Sequence, residues 1–162
     1  MENNFIVREV KEEDAPILRH LAKNCPPLDL HTQYTYWVVA SAYGDYSFLA
    51  YEKGGDSPIG YVMCVKTQDS VFFWQIGVLE DYRGKGLSRI LIDAVFKKAE
   101  KNKDRPTLGV TIAKDNQNSY FAFHNYCRDH GYSFIPDRTI SVTDADDPLF
   151  LEEEIYYRME KA

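Results

Sequence analysis

The sequence predicts an α/β or α+β sandwich around one mixed sheet, and three observations predict it. Strand-like and helix-like patterns alternate along the 162 residues, which is the signature of layered α/β architecture. Val71–Leu79 is nearly all apolar and β-prone, as a central strand covered on both faces must be. Leu87–Lys101 follows it with Ile90, Leu91, Ala94, Val95 and Ala99 on one helical face.

The elements can be justified in order. Phe5–Val10 reads as a short strand, and Glu12-Glu13-Asp14 then precedes an amphipathic stretch, Ala15–Lys23. Acidic residues at a helix start complement its dipole. Cys25-Pro26-Pro27 ends that helix, because proline lacks an amide hydrogen and restricts its predecessor. The aromatic-rich stretch Leu28–Tyr46 predicts a second helix, with Asp29 a candidate cap for it. Ser47–Glu52 and Ile59–Thr67 read as two strands around the turn Lys53–Pro58. After the helix at 87–101 come a strand at Thr107–Ala113 and a fourth helix from about Gln117 to His130, with Gly131 as its C-cap. Ile140–Thr143 and Ile155–Met159 complete the strands. No repeat or linker divides the chain, so one domain over 1–162 is expected.

Composition narrows the partners. A hydrophobic fraction of 44% and charged fraction of 27% suit a packed globular protein. Net charge is −6, which gives no general support to a nucleic-acid or anionic-membrane partner and favours a small cationic one. Cys25, Cys64 and Cys127 are odd in number and form no CxxC pair, the usage of reduced cysteines in a cytoplasmic protein. No run resembles a signal peptide or approaches the ~20 apolar residues of a membrane helix. His31, His124 and His130 lack metal-ligand spacing, so no metal is expected; His124 and His130 read as exposed helix surface.

One stretch carries chemistry. Strand, then Arg83-Gly84-Lys85-Gly86, then helix makes an anion site on physical grounds. Glycines admit a ligand close to the backbone, and a helix start presents free amides and partial positive charge. The expected ligand is a phosphate or pyrophosphate. An ordinary glycine turn with two solvated cations is the bland alternative. The spacing is neither a P-loop nor a dinucleotide fingerprint.

In context the chain resembles the GNAT acetyltransferases, whose pyrophosphate loop reads Arg/Gln-x-x-Gly-x-Gly/Ala. Gly84 and Gly86 match, while the leading cationic position falls on Asp81 and Arg83 occupies a variable one. Asn116-x-x-Ser119-x-x-Ala122-Phe123 is similar to the family's Asn-x-x-Ala-x-x-Leu-Tyr pattern, and Gly131-Tyr132 to its Gly-Phe ending. The resemblance implies the GNAT fold: a twisted, mixed and mostly antiparallel central sheet of about six to seven strands flanked by about four helices. It implies acetyl-CoA as cosubstrate, bound by Ile76, Gly77, Val78, Arg83, Gly84, Lys85, Gly86, Leu87, Ser88, Asn116, Ser119 and Phe123. Phe123 stands where the family commonly has the tyrosine that protonates the departing thiolate, and phenylalanine has no proton to give. Tyr120, Tyr126 or water are the substitutes.

A narrower likeness spans Val7 to Arg158. Cys25-Pro-Pro-Leu-Asp29-Leu-His31-Thr-x-Tyr34-x-Tyr36 is similar to the Pro-Pro-Leu-Asp-x-Asn-Ser-x-Tyr-x-Tyr segment of the L-2,4-diaminobutyrate acetyltransferases of ectoine biosynthesis. Phe73–Val78 resembles their Trp-Gln-Val-x-Val strand, and Thr111-x-x-x-Asp115-Asn116-x-x-Ser119 matches as well. His31-Thr32 replaces their Asn-Ser, and Leu151-Glu152 their His-Glu. The resemblance implies acetylation of a small diamino acid's side-chain amine, with Asp29, His31, Trp74 and Glu152 around the substrate, and implies a homodimer. Carboxylates suit two ammonium groups, and a tryptophan face suits a cation. Each residue also has a plainer reading: Asp29 as a helix cap, Trp74 as core, and Glu152–Glu154 as a solvated run before the last strand. Glu152 or Asp29, through water, are the candidate general bases, and the amide of Ile76 or Val78 the donor to the thioester oxygen. Another amine acceptor, or a non-catalytic acyl-CoA sensor, is the alternative reading.

Overall fold

The structure is a computed structural model and describes residues 4–162. Among the described residues seven strands and four α-helices form, and they divide into two compact units that meet in sequence at Pro106 and Thr107.

The first unit holds β1 (Phe5–Glu9), α1 (Ala15–Lys23), α2 (Gln33–Tyr43), β2 (Phe48–Glu52), β3 (Pro58–Lys66), β4 (Ser70–Val78) and α3 (Leu87–Lys101). Its strands run in the order β1-β2-β3-β4, and every ladder is antiparallel. The pleat sorts β3 between two helical layers. Tyr61 and Met63 join the buried cluster of Leu18, Leu21, Tyr36 and Val39 from α1 and α2. Gly60, one residue away, faces Leu87 and Leu91 of α3; a Cβ there would lie 3.3 Å from Leu87. The α1–α2 layer begins with a buried charge, Asp14, whose carboxylate accepts from both terminal nitrogens of Arg8 at 2.7 and 2.9 Å and from the Lys11 amide at 2.8 Å. Those bonds hold its pKa below the usual carboxylate range.

Thr32, not Asp29, caps α2: the Thr32 hydroxyl accepts from the Thr35 amide at 3.2 Å, and the helix begins at Gln33. The five residues Leu28–Thr32 are therefore a loop between the turn at Pro26-Pro27 and the Thr32 cap.

The second unit holds β5 (Thr107–Ala113), α4 (Gln117–His130), β6 (Tyr132–Asp144) and β7 (Asp147–Lys161). Its strands pair antiparallel as β5-β7-β6. Gly131, at φ 74°, takes the left-handed C-cap of α4 that its position predicts. Both terminal strands are far longer than Ile140–Thr143 and Ile155–Met159. Turn-like Asp137 and Asp144–Asp147 masked a ladder that runs from Tyr132↔Lys161 to Asp144↔Asp147. Among the described residues no helix is long and apolar enough to cross a membrane, and no cluster of three or more His, Cys, Asp or Glu could hold a metal.

Candidate functional site

Strand β4 organises the first unit's candidates. Its register with β3 slips once: Met63 faces Gln75 and Cys64 faces Phe73, leaving Trp74 without a partner. Such a bulge re-aims side chains. Phe73 turns to Phe96 of α3, centroids 6.0 Å apart. Trp74 and Gln75 both meet the α1–α2 segment: the Trp74 ring lies 5.0 Å from His31, and Gln75 donates to the Asp29 carbonyl at 2.7 Å. Trp74 is 37% exposed, so it is not core. Asp29, His31 and Trp74 are thus brought together. Asp29 is exposed and His31 half-buried.

Beyond the bulge the backbone of β4 has a defined direction. The Leu79 amide donates to Ile59 in the β3 direction at 2.9 Å, so by alternation the amides and carbonyls of Ile76 and Val78 face away from β3. Gly77 lies against the α1–α2 segment, where a Cβ would come within 2.7 Å of Tyr61, 3.1 Å of Leu28 and 3.2 Å of Cys25.

The loop after β4 suits an anion. Gly84 and Gly86 hold φ of 76° and 81°, a region that favours glycine, and nothing lies within 4 Å of a Cβ built on either. Gly86 is the N-cap of α3 and no side chain caps that end, so the first amides of the helix are open to a ligand. Leu87 is buried and anchors the turn, Ser88 is half-buried, and Arg83 and Lys85 are exposed. Arg83 is tethered: its Nε donates to the Val78 carbonyl at 3.0 Å. Burial pushes the Cys25 thiol up, against the opposing pull of the neighbouring Arg83 guanidinium. These residues fit a pyrophosphate carrier.

In the second unit, the Asn116 side chain caps α4 by accepting from the Ser119 amide at 3.2 Å. Phe123 is buried. Of the two candidate proton donors, Tyr126 is buried and stacked on His130, 4.0 Å away. Tyr120 is half-buried and lines a groove of about 340 Å³ with Ile112, Gln117, Phe121 and Tyr157. His124 is not simple helix surface; it is half-buried and stacks on Tyr120 at 5.5 Å. Glu152 lies inside β7, exposed, opposite Val142. The run Glu152–Glu154 is therefore strand and not a lead-in to one. The β5–β7 ladder ends at Ala113↔Glu154, so Glu152 sits on the two-stranded extension.

The cysteines offer no nucleophile. All three are free and buried, and burial pushes Cys127 to about 12 and Cys64 well above its ordinary value.

Sequence reasoning missed Gln75, Tyr36 and Tyr61 as members of this site. The available signal was one amide side chain in an otherwise apolar strand, which must find buried partners.

The sequence pattern of the Acetyltransferase (GNAT) family matches residues 14–132, and the chain belongs to that family. It is 35% identical over 122 residues to the L-2,4-diaminobutyric acid acetyltransferase of Halomonas elongata, a match covering 74% of this chain and 62% of the relative. The chain thus spans less than two thirds of that relative's length. It is 26% identical over 154 residues to the enzyme of that name from Bordetella parapertussis, covering 91% of this chain and 82% of that one. In fold it is similar to diaminobutyrate acetyltransferase EctA from Paenibacillus lautus, solved with L-2,4-diaminobutyric acid and coenzyme A, with TM-score 0.78, 15% identity and coverage of 98% and 96%. Arabidopsis thaliana NAA60, solved with acetyl-CoA, shares the fold at TM-score 0.75 and 15% identity, with coverage of 95% and 98%.

Proposed function

We propose that this chain is an acetyl-CoA-dependent N-acetyltransferase that acetylates the side-chain amine of L-2,4-diaminobutyrate. The observation that carries the reading is the convergence of Asp29, His31 and Trp74 on bulged β4, next along the chain to the open glycine-bearing start of α3. The curated relatives of that name support the substrate. The family pattern runs from 14 to 132, through the boundary at Pro106, which supports one functional domain. Three free thiols support a reducing, cytoplasmic setting. The exposed Leu149 and Leu151 on the β6–β7 extension support a homodimer, since apolar residues grouped in the open call for cover.

The proposed roles follow from what each group offers. The amides of Leu87 and Ser88, with Arg83 and Lys85, would hold the pyrophosphate; Gly84 and Gly86 allow its approach. Acetyl-CoA supplies the activated acetyl group. The amides of Ile76 and Val78 face away from β3, and one of them would stabilise charge on the thioester oxygen, while the Val78 carbonyl holds Arg83. Asn116, Ser119 and Phe123 are kept as cofactor residues on the family likeness, with the Asn116 cap fixing the start of α4. The acceptor's ammonium groups would meet the carboxylate of Asp29 and the face of Trp74; Glu152 is kept as a substrate residue on the family likeness alone. An amine with a pKa of roughly 10 is only about 0.1% neutral at pH 7, so a base must take its proton; Asp29, acting through water and with its backbone fastened to Gln75, is favoured over Glu152. Holding amine and thioester together supplies much of the acceleration.

The test is thiol release from acetyl-CoA with diaminobutyrate, ornithine, lysine, putrescine and no acceptor. Release strongest with diaminobutyrate is expected. Release strongest with another amine replaces the substrate, and cofactor binding without release from any acceptor reassigns the chain to acyl-CoA sensing.

A further inference from the structure

The acceptor wall hangs on one buried amide. Gln75 is 6% exposed and stands between Trp74 and Ile76 on β4. Its Oε1 accepts from Tyr61 Oη at 2.9 Å and from Tyr36 Oη at 3.2 Å, and its Nε2 donates to the Asp29 carbonyl at 2.7 Å. The orientation of the amide is dictated by chemistry: a backbone carbonyl only accepts, so the NH₂ group must face Asp29 and the oxygen the two phenols. The same loop is held twice more. Arg19 Nε donates to the His31 carbonyl at 3.1 Å, and the His31 amide approaches Tyr36 Oη at 3.5 Å. Three elements, α1, α2 and β4, thus converge through side chains on a loop with no ladder of its own, and Tyr61 of β3 holds Gln75 in turn.

We propose that Gln75 is a positioning residue for the amine acceptor, holding Asp29–His31 against β4 so that the Asp29 carboxylate, the His31 ring and the Trp74 face form one preformed wall. The proposal rests on the acetyltransferase reading of this site and names the part of the chain that sets acceptor affinity. The bulge at Trp74 turns two successive side chains toward the loop. Gln75 spends its amide on fastening the loop, while Trp74 stays open to a ligand. A loop ordered during folding does not have to be ordered again by each substrate molecule, which strengthens binding without any new contact to it. Gln75 itself is buried beneath the wall and acts through Asp29.

The experiment compares the full chain with Gln75→Leu and Gln75→Glu, measuring KM for both substrates, kcat, and amide hydrogen exchange. Gln75→Leu is expected to raise the acceptor KM at least tenfold and leave the acetyl-CoA KM within twofold. It should also speed exchange of amides 29–32 at least tenfold while β2 and β3 keep wild-type rates. Gln75→Glu adds a pH signature that lost packing would not produce. Its new carboxyl donates to the Asp29 carbonyl only when protonated, so its acceptor KM relative to wild type rises with pH, while that of Gln75→Leu stays flat. Unchanged exchange and acceptor KM in Gln75→Leu would overturn the proposal, as would a joint loss in both KM values and kcat. If Gln75→Leu does not fold, the near-isosteric Gln75→Glu decides by its pH profile. If wild type turns over a different amine, the substrate reading fails alone, and the KM comparison is made with that amine. If it turns over none, the exchange rates still decide whether the clamp exists.

Discussion

Asp29 and Glu152 are the two carboxylates that the sequence offers as general bases, and their surroundings differ. Asp29 sits in a loop whose backbone is fastened by Gln75 and whose neighbour His31 is held by Arg19 and Tyr36. Glu152 sits on the extension of β6 and β7 past the end of β5, in a stretch where Arg138 to Leu151 is almost wholly exposed. A two-stranded ribbon has little to hold it, so its side chains are placed less rigidly than those around a bulge packed against buried tyrosines. The difference teaches that equal charge in the sequence does not mean equal preorganisation in the fold.

The comparison can be broken most directly by charge removal. Asp29→Asn should lower kcat/KM for diaminobutyrate about a hundredfold, roughly 2.7 kcal/mol of transition-state stabilisation. Glu152→Gln should cost less than about fivefold, or roughly 1 kcal/mol. Equal losses in steady-state kinetics would erase the distinction. A smaller effect concerns packing. In Gly77→Ala the new methyl meets the Tyr61 ring, Leu28 and Cys25, so urea unfolding should show a loss of about 2 kcal/mol. Ser141→Ala on the ribbon should stay within about 0.5 kcal/mol. A Gly77→Ala protein as stable as wild type would mean the segment yields freely. The smallest effect is in acid. The folded pKa of Asp14 is depressed, first by its hydrogen bond to Arg8. Its pairing therefore stabilises fully above the unfolded value of roughly 3.9 and is lost as pH falls through the lower folded value. Asp14→Asn should cost about 1 kcal/mol at pH 7 and should flatten the stability curve below about pH 4. An acid limb unchanged by that substitution, followed by thermal denaturation, would place the acid-sensitive group elsewhere.

Much of the fold was legible because its signals are local. The apolar run of β4, the one-faced pattern of α3, and Gly131 after α4 each act within a few residues of themselves. The loop at Gly84 and Gly86 was readable for the same reason, since positive φ is a property of the residue. Less was legible where distant partners decide. The full length of β6 and β7 comes from their pairing with each other, which overrides turn-prone Asp137. Asp29 looked like a cap, yet Thr32 takes that place: its backbone is extended and its hydroxyl accepts from the Thr35 amide, while Asp29 is drawn to Gln75. Trp74 read equally as core until the slipped register turned it outward.

By itself the sequence determined the class of fold, the family and the glycine-bearing turn that opens α3. Those follow from periodicity, backbone freedom and residue chemistry, none of which needs a distant neighbour. Only the tertiary structure decided that Gln75, Tyr36 and Tyr61 support the loop at Asp29, that Arg83 is tied to the Val78 carbonyl, and that Glu152 stands on an open ribbon. The reason is physical. A buried amide announces in sequence that it needs partners, but residues 39 and 46 positions away become those partners only when strands and helices close around it.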